Sequence, residues 1–311
     1  MTDITASRLG MSNATGADDA LFLKKWSGEV ATLFDEKNVF LPLTTVRTIE
    51  NGKSASFPII GRATAYYHTP GNELTGQSIK HAERVIAIDR LLVSPVFIAL
   101  IDEAKNHYDV RSKYAAKCAA ELAIKADKVL AQLLVNAARA SNAITGEAGG
   151  AVLKKTTYAT SSDDLAAGIV DIARVFDEKD VDEGGRYVAV RPLQYYGLAS
   201  NTKVLNKDWN GAGSYSDGKV IKIADVTIVK SNHLPSTAIT GSEQAAYDGV
   251  FTDTVAVGFT EDAVGTVKLL DLSSEGEYQI NRQGTLLVSK YAMGHGILRA
   301  ECAVELSKSA T

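Results

Sequence analysis

Residues 43–92 set a structural problem that the segment cannot solve by itself. LTTVRTIE ends at Asn51-Gly52, a strong tight-turn pair. KSASFPIIGRATAYY follows, rich in small, aromatic and branched residues, and its Pro58 and Gly61 mark an edge strand with a bend. HTPGNELTGQSIK is packed with turn formers. The chain returns as IKHAERVIAIDRLLV, with Arg84, Ile86 and Ile88 on one side and Val85, Ala87 and Asp89 on the other. Two strands of ~14 residues at ~3.3 Å each would span roughly 45 Å. A two-stranded ribbon is at best marginal in water, so contacts outside the ribbon must hold it.

The second unusual element is a helix. After Asp109, a candidate cap, Tyr114, Cys118, Leu122, Ala126, Val129, Leu130, Leu133, Leu134 and Ala137 recur at spacings of three and four. Lys113, Lys117, Glu121, Lys125 and Lys128 fall on the other side. This predicts one amphipathic helix of ~30 residues, well above the mean for a compact domain. Such a length suits a spine with one face on a sheet. Ser94-Pro95 reads as the start of an earlier helix, a hydroxyl cap followed by Pro.

Residues 1–20 are small and polar and read as an arm, followed by a short helix from Ala20. From residue 160 the pattern alternates. SSDDLAAGIVDIARVF is a helix capped by Ser162, RYVAVR a buried strand, and Pro192 opens another helix. Residues 207–218 read as a loop; VIKIADVTIVKS and VAVGF read as strands. The block 160–262 is expected to be a compact α/β unit. TVKLLDL, GTLLVSKYAMG and ILRAECAVEL are strands without helices of their own, so they pair naturally with the long helix. One domain would then be built from two separated segments, with 160–262 inserted between them.

The search for chemistry returns little. Apolar residues make 45% of the 311-residue chain and charged ones 23%, which excludes a disordered or disulfide-scaffold protein. The net charge of -4 argues against a protein whose main work is gripping nucleic acid. No apolar run is long enough to span a membrane, and the N-terminus lacks the pattern of a secretory signal. Gly52-Lys53-Ser54 resembles the end of a phosphate-binding loop, but the position of the first glycine is Arg47. His68, His81, His107, His233 and His295 form no metal-ligand spacing. Cys118 and Cys302 stand alone in apolar stretches and are expected to be free, buried thiols of a reducing compartment. No catalytic residue, cofactor site or metal site is expected.

Five strings share a different kind of information. NGKSASFP with a following GR, IKHAERVIAID, NHYDVRSKYA, AVGTVKL and KYAMGHG resemble, in the same order, the major capsid proteins of short-tailed phages of the Autographiviridae. The resemblance covers 21–138 and 253–300, while 140–250 matches weakly. It implies an α+β Hong Kong 97-type capsid fold. Carried over, 1–46 is the N-terminal arm and 47–90 the extended E-loop. Residues 91–150 with 266–311 form the P-domain, a spine helix on a sheet, and 160–262 the A-domain. The implied function is self-assembly, as hexamers and pentamers, into the icosahedral head that encloses the double-stranded DNA genome of a tailed phage. An encapsulin-like compartment uses the same fold and is the alternative; a soluble α/β enzyme would leave the ribbon unexplained.

The resemblance also implies partners. Only ~46 residues precede the ribbon, too few for a separately folding scaffold domain, so a separate scaffolding protein is expected. A portal protein at one vertex and weak, non-specific contact with packaged DNA complete the set. Assembly would begin in the host bacterial cytoplasm and end in the virion. The resemblance implies that the E-loop lies over the P-domain of the next subunit in the capsomer. Phe57, Ile59, Tyr66 and Tyr67 are too many apolar groups for a solvated hairpin, and Arg62, Glu73, Lys80, Glu83 and Arg84 have the mixed sign that suits pairing across a boundary. These nine are the expected inter-subunit contacts.

Overall fold

The computed structural model describes residues 38–74, 76–101, 111–201 and 222–310. The expected helix from Ala20, the Asp109 cap and the loop 207–218 lie outside the described residues.

Two sheets share one long helix. Strands β1 (Thr45–Thr48), β4 (Leu92–Ala99), β12 (Val264–Gln279) and β13 (Gly284–Ile297) form a sheet in the order β1-β12-β13-β4. β1 runs parallel to β12, and the other pairs are antiparallel. The second sheet has the order β5-β14-β11-β6-β8-β7. Its strands are β5 (Ala151–Lys154), β6 (Tyr187–Val190), β7 (Lys222–Ile223), β8 (Val226–Lys230), β11 (Thr254–Phe259) and β14 (Ala303–Ser307). Among the described residues, strands β2 (Ser54–Ile60) and β3 (His81–Ala87) pair only with each other, and β9 (Ala238–Ile239) pairs with β10 (Gly249–Val250).

Helix α1 (Arg111–Arg139) is the spine, 29 residues long. It packs on β4 and β13 of the first sheet and on β14 and β11 of the second. Cys118, Leu122, Ala126, Leu130, Leu133, Leu134 and Ala137 are buried, while Lys117, Glu121, Lys125 and Lys128 are exposed. From Leu130 onward the helix is enclosed on nearly all sides, since Ala131, Val135 and Ala138 are buried too. A single wet face therefore exists only in its first half. Asp127, fully buried on this helix, accepts hydrogen bonds from the N–H groups of Val39 (2.9 Å) and Phe40 (3.2 Å) and lies 3.2 Å from His233 Nδ1. It anchors the chain at Val39 and Phe40.

Helix α2 (Ser162–Glu178) is capped by Ser161, whose Oγ accepts from the Asp164 N–H, one residue before the expected cap. Helix α3 (Pro192–Ala199) opens with proline as expected. The helix expected at Ser94-Pro95 is instead strand β4, with Pro95 opposite Val288. β4 is an edge strand, so a missing N–H on its outer side costs nothing. In the described part of VIKIADVTIVKS, from Lys222, β7 and β8 make a hairpin that turns at Ala224 and Asp225 with positive φ. The C-terminal strands divide between the sheets: β12 and β13 belong to the first, and β14 inserts between β5 and β11 of the second.

Candidate assembly surface

The ribbon has a seated root and an unladdered outer part. Asn51-Gly52 turns the chain with Gly52 at φ +131, a conformation that favours glycine. Pairing then runs from Ser54 opposite Ala87 to Ile60 opposite His81. Each strand is seven residues, half the expected length. Past it, Gly61 N–H donates to Lys80 O at 2.9 Å. The Gln77 side chain then bridges to Thr64, accepting from its N–H at 3.2 Å and donating to its carbonyl. No regular ladder continues to the turn at Thr69–Asn72.

One face of the root is buried. Ile86 and Ala55 pack with Val267 and Leu298 in a small apolar cluster over β12. Gly294 on β13 permits this seat. A Cβ there would stand 2.1 Å from the Ala87 carbonyl oxygen. Next to it Asp89 N–H donates to Met293 O at 3.1 Å. A polar clasp closes the root. The Tyr247 hydroxyl lies 3.0 and 2.9 Å from the Asp89 oxygens and accepts from His295 N–H at 3.2 Å. Gln244 donates to Ala87 O and to Asp89. His295 Nδ1 is 2.9 Å from Thr266 Oγ1. Burial pushes the His295 pKa down to about 4, and burial also raises that of the Asp89 carboxyl. The clasp escaped the sequence reading. Its signal was the Gly294-His295-Gly296 string, since glycine inside a strand marks close backbone approach.

The nine expected contact residues divide. Tyr66 and Tyr67 are exposed, at 57% and 103%, as are Glu73, Lys80 and Glu83. Phe57 is half-buried under the Arg47 guanidinium, 5.7 Å from its ring centre, and Arg84 is half-buried. Ile59 departs from the expectation: it is only 6% exposed, so its own subunit already covers it. Arg62, although exposed, is engaged at home. It donates to Asp180 Oδ2 and to Lys179 O at the C-terminus of α2, both at 2.6 Å. There it also meets the negative end of the helix dipole. Lys80 Nζ donates to Thr145 O at 2.8 Å. The outer part of the ribbon exposes Tyr66, Tyr67, Leu74 and Ile79.

Among the described residues no group of three or more His, Cys, Asp or Glu side chains could hold a metal ion. Among them, too, no helix is long and apolar enough to cross a membrane.

Comparison with known proteins places this geometry. The family model described as "Gp10A-like: Major capsid protein" matches residues 56–307. The major capsid protein of Enterobacteria phage T3 is 35% identical, over 91% of this chain and 90% of the relative. That of Escherichia phage T7 is 34% identical, over 93% of this chain and 92% of the relative. The solved capsid structure of cyanophage P-SCSP1u superposes with a TM-score of 0.81 at 43% identity, covering 98% of this chain and 99% of that one. The chain therefore belongs to the Gp10A-like major capsid protein family of tailed, short-tailed phages, with a mixed α and β capsid fold; it is a structural protein of the virion capsid and not an enzyme.

Proposed function

We propose that the chain assembles as hexamers and pentamers into an icosahedral head around double-stranded DNA, with the ribbon as the arm that ties one subunit to the next. In this reading 1–46 is the N-terminal arm, 47–90 the E-loop, 91–150 with 266–311 the P-domain and 160–262 the A-domain. Sheet membership supports the division, because β4, β12 and β13 share one sheet and β6, β7, β8 and β11 the other. β5 and β14 extend the second sheet and tie the two parts together.

The observation that carries the reading is the outer ribbon. Tyr66, Tyr67, Leu74 and Ile79 are all exposed. Clustered apolar groups that stay in water mark an interaction site. A separate scaffolding protein guides assembly in the host cytoplasm, and a portal takes one vertex. The net charge of -4 suits weak, non-specific contact with packaged DNA.

The test is expression with the neighbouring scaffold gene, followed by negative-stain imaging. Shells with one distinct vertex support the reading. Small closed shells filled with an enzyme would favour an encapsulin-like compartment, which the strong likeness to phage capsid proteins disfavours. Free subunits should show no binding to duplex DNA at physiological salt. Micromolar, sequence-dependent binding would contradict the weak-contact reading.

A further inference from the structure

The ribbon is held to its own subunit in two unlike ways, and the difference falls at its neck. The root is seated by buried apolar groups, Ala55 and Ile86 with Val267 and Leu298. Past Ile59 the chain comes out into solvent, with Ile60 and Arg62 exposed. Here two cations, one on each strand, fasten the neck. Arg62 donates to Asp180 Oδ2 and Lys179 O, and Lys80 donates to Thr145 O. The two stand side by side, since Gly61 N–H donates to Lys80 O. The Arg62 N–H also donates to Glu147 Oε1 at 3.3 Å. Beside them lies a cavity of about 410 Å³, with Arg62, Ile144, Asp182, Glu261 and Arg299 among its walls. The neck is thus fastened at the rim of an open space, and a change of angle there costs hydrogen bonds more than packing.

Asp180 is the telling partner. Helix α2 closes with Val181 N–H on Phe176 O and Asp180 N–H on Asp177 O, both at 3.0 Å. That pattern puts residue 180 in the left-handed region, where glycine or asparagine is usual. Asp180 sits there with φ +54. A carboxylate at a helix C-terminus also meets the negative end of the dipole, and Asp177 and Glu178 already stand there. Position 180 therefore breaks two local rules at once. Arg186 answers Asp177 and Arg174 answers Glu178, both from nearby in the chain. The cation that answers Asp180 comes from the ribbon, 118 positions away. Local rules broken without a local gain mark functional sites.

We infer that Arg62 and Asp180 are positioning residues for assembly: their pair presets the direction in which the ribbon leaves its own subunit, so that the next subunit meets an arm already aimed. This rests on the reading of the ribbon as an inter-subunit arm. An exposed ion pair is worth little to the fold, but association scales with the fraction of subunits whose arm is correctly placed. On that arithmetic, loss of the pair slows assembly by about two- to fivefold and leaves the fold intact.

Asp180→Gly separates this role from a structural one. Glycine suits the left-handed position and removes a charge from the wrong end of the helix, so the melting midpoint of the free subunit should hold or rise. The order of the ribbon should fall all the same. It is read in the free subunit by spin labels on Asn72→Cys in the ribbon turn and Ala167→Cys on α2, both exposed; Cys118 and Cys302 are buried. The distribution of label-to-label distances should widen in Asp180→Gly and in Arg62→Ala. The double variant should be no wider than either, because the two residues act as one pair. Without labels, the same variants should assemble with the scaffold about two- to fivefold more slowly than wild type, followed by light scattering. An unchanged distribution in both single variants would overturn the inference, and so would a widened distribution with the wild-type assembly rate; in either case the arm reading stands. A lowered midpoint in Asp180→Gly would make Asp180 a part of the subunit's own stability and would equally sink the proposal. Normal assembly of a protein lacking residues 63–79 would remove the arm reading, and this inference with it.

Discussion

Arg139 and Glu305 stand 166 positions apart in the chain and meet in a two-pronged ion pair, Nε to Oε2 at 2.6 Å and Nη2 to Oε1 at 2.7 Å. Glu305 is fully buried on β14, and Arg139 closes the last turn of the spine helix. The same arginine donates to Val250 O at 2.6 Å, and Thr254 Oγ1 donates to Glu305 at 2.6 Å. The helix end is thereby tied to the second sheet through a carboxylate whose partners are all in place. A cation at this end also complements the helix dipole.

Removing one partner should be costly, because it strands a charge in the core. Arg139→Ala is expected to lower stability by about 3–5 kcal/mol. Urea unfolding of the free subunit checks this, with an unchanged slope and a lower midpoint. A loss of only about 1 kcal/mol would place the pair with ordinary surface bridges.

Gly294 gives a prediction about the ribbon rather than the core. A Cβ at that position meets Ala87 O at 2.1 Å, so Gly294→Ala must lift β3 off the sheet or bend β13. The amides of Ile88 and Asp89, held by Lys53 O and Met293 O, should exchange faster in the variant. Assembly should slow because the arm leaves at a changed angle. Unaltered exchange at these two amides would show that the seat does not depend on the close approach.

The clasp makes stability depend on pH. His295 is neutral in the folded subunit, with its pKa pushed down to about 4 from an ordinary value near 6.5. Below ~6.5 the unfolded chain binds a proton that the folded one refuses, so stability falls as pH drops towards 4. The full effect is about 3 kcal/mol, most of it lost between roughly pH 6 and 4. Asp89, raised by burial, acts in the opposite sense: its contribution falls as pH rises from the ordinary carboxylate value to its folded value. The acid loss should therefore be steepest near pH 5–6. Denaturation midpoints measured at steps from pH 7 to 4 should show that slope, and His295→Gln should flatten it.

Both thiols should be silent in the native subunit. Cys118 and Cys302 are buried and form no disulfide, and burial raises both pKa values, that of Cys302 to about 11. At pH 8 its thiolate would be ~0.1% of the total even before access is considered. Alkylation without reductant should add no label to the folded protein and two to the unfolded one, read by intact mass. A species lacking both labels after unfolding would mean a bridge.

The spine helix was legible because its apolar spacing runs unbroken from Tyr114 to Ala137, and only packing decides which turns are wrapped on both sides. Ser94-Pro95 misled because the same dipeptide serves a helix start and an edge strand, and edge position is a property of the sheet. Asp127 reads as one more acid on a charged helix. Its burial depends on the N–H groups of Val39 and Phe40 arriving from 88 and 87 positions away. Ile59 and Arg62 show the same limit at the ribbon. Their chemistry suits a subunit boundary, but Asp180 and Lys179 reach Arg62 first, through a fold that no local pattern reveals.

The ribbon itself offers the most direct separation of folding from assembly. Among the described residues of 63–79 no side chain is buried, and the Thr64–Gln77 hydrogen bonds close within the ribbon itself. The contacts that seat the ribbon come from Ala55, Ile86 and Asp89 on the inner side, and from Arg62 and Lys80 at the boundary. Replacing Ala63–Ile79 by a short Gly-Ser turn removes Tyr66, Tyr67 and Leu74 and keeps all of these. The circular dichroism and the cooperative melt of the free subunit should therefore stay close to wild type. Loop closure favours the shorter connection, by about 0.6 kcal/mol for each halving of length. Assembly with the scaffold should fail, leaving low-order species in sedimentation. Aggregation or a non-cooperative melt would place those residues in the subunit's own core. Normal shells from the truncated protein would remove the ribbon from the set of contacts that build the head.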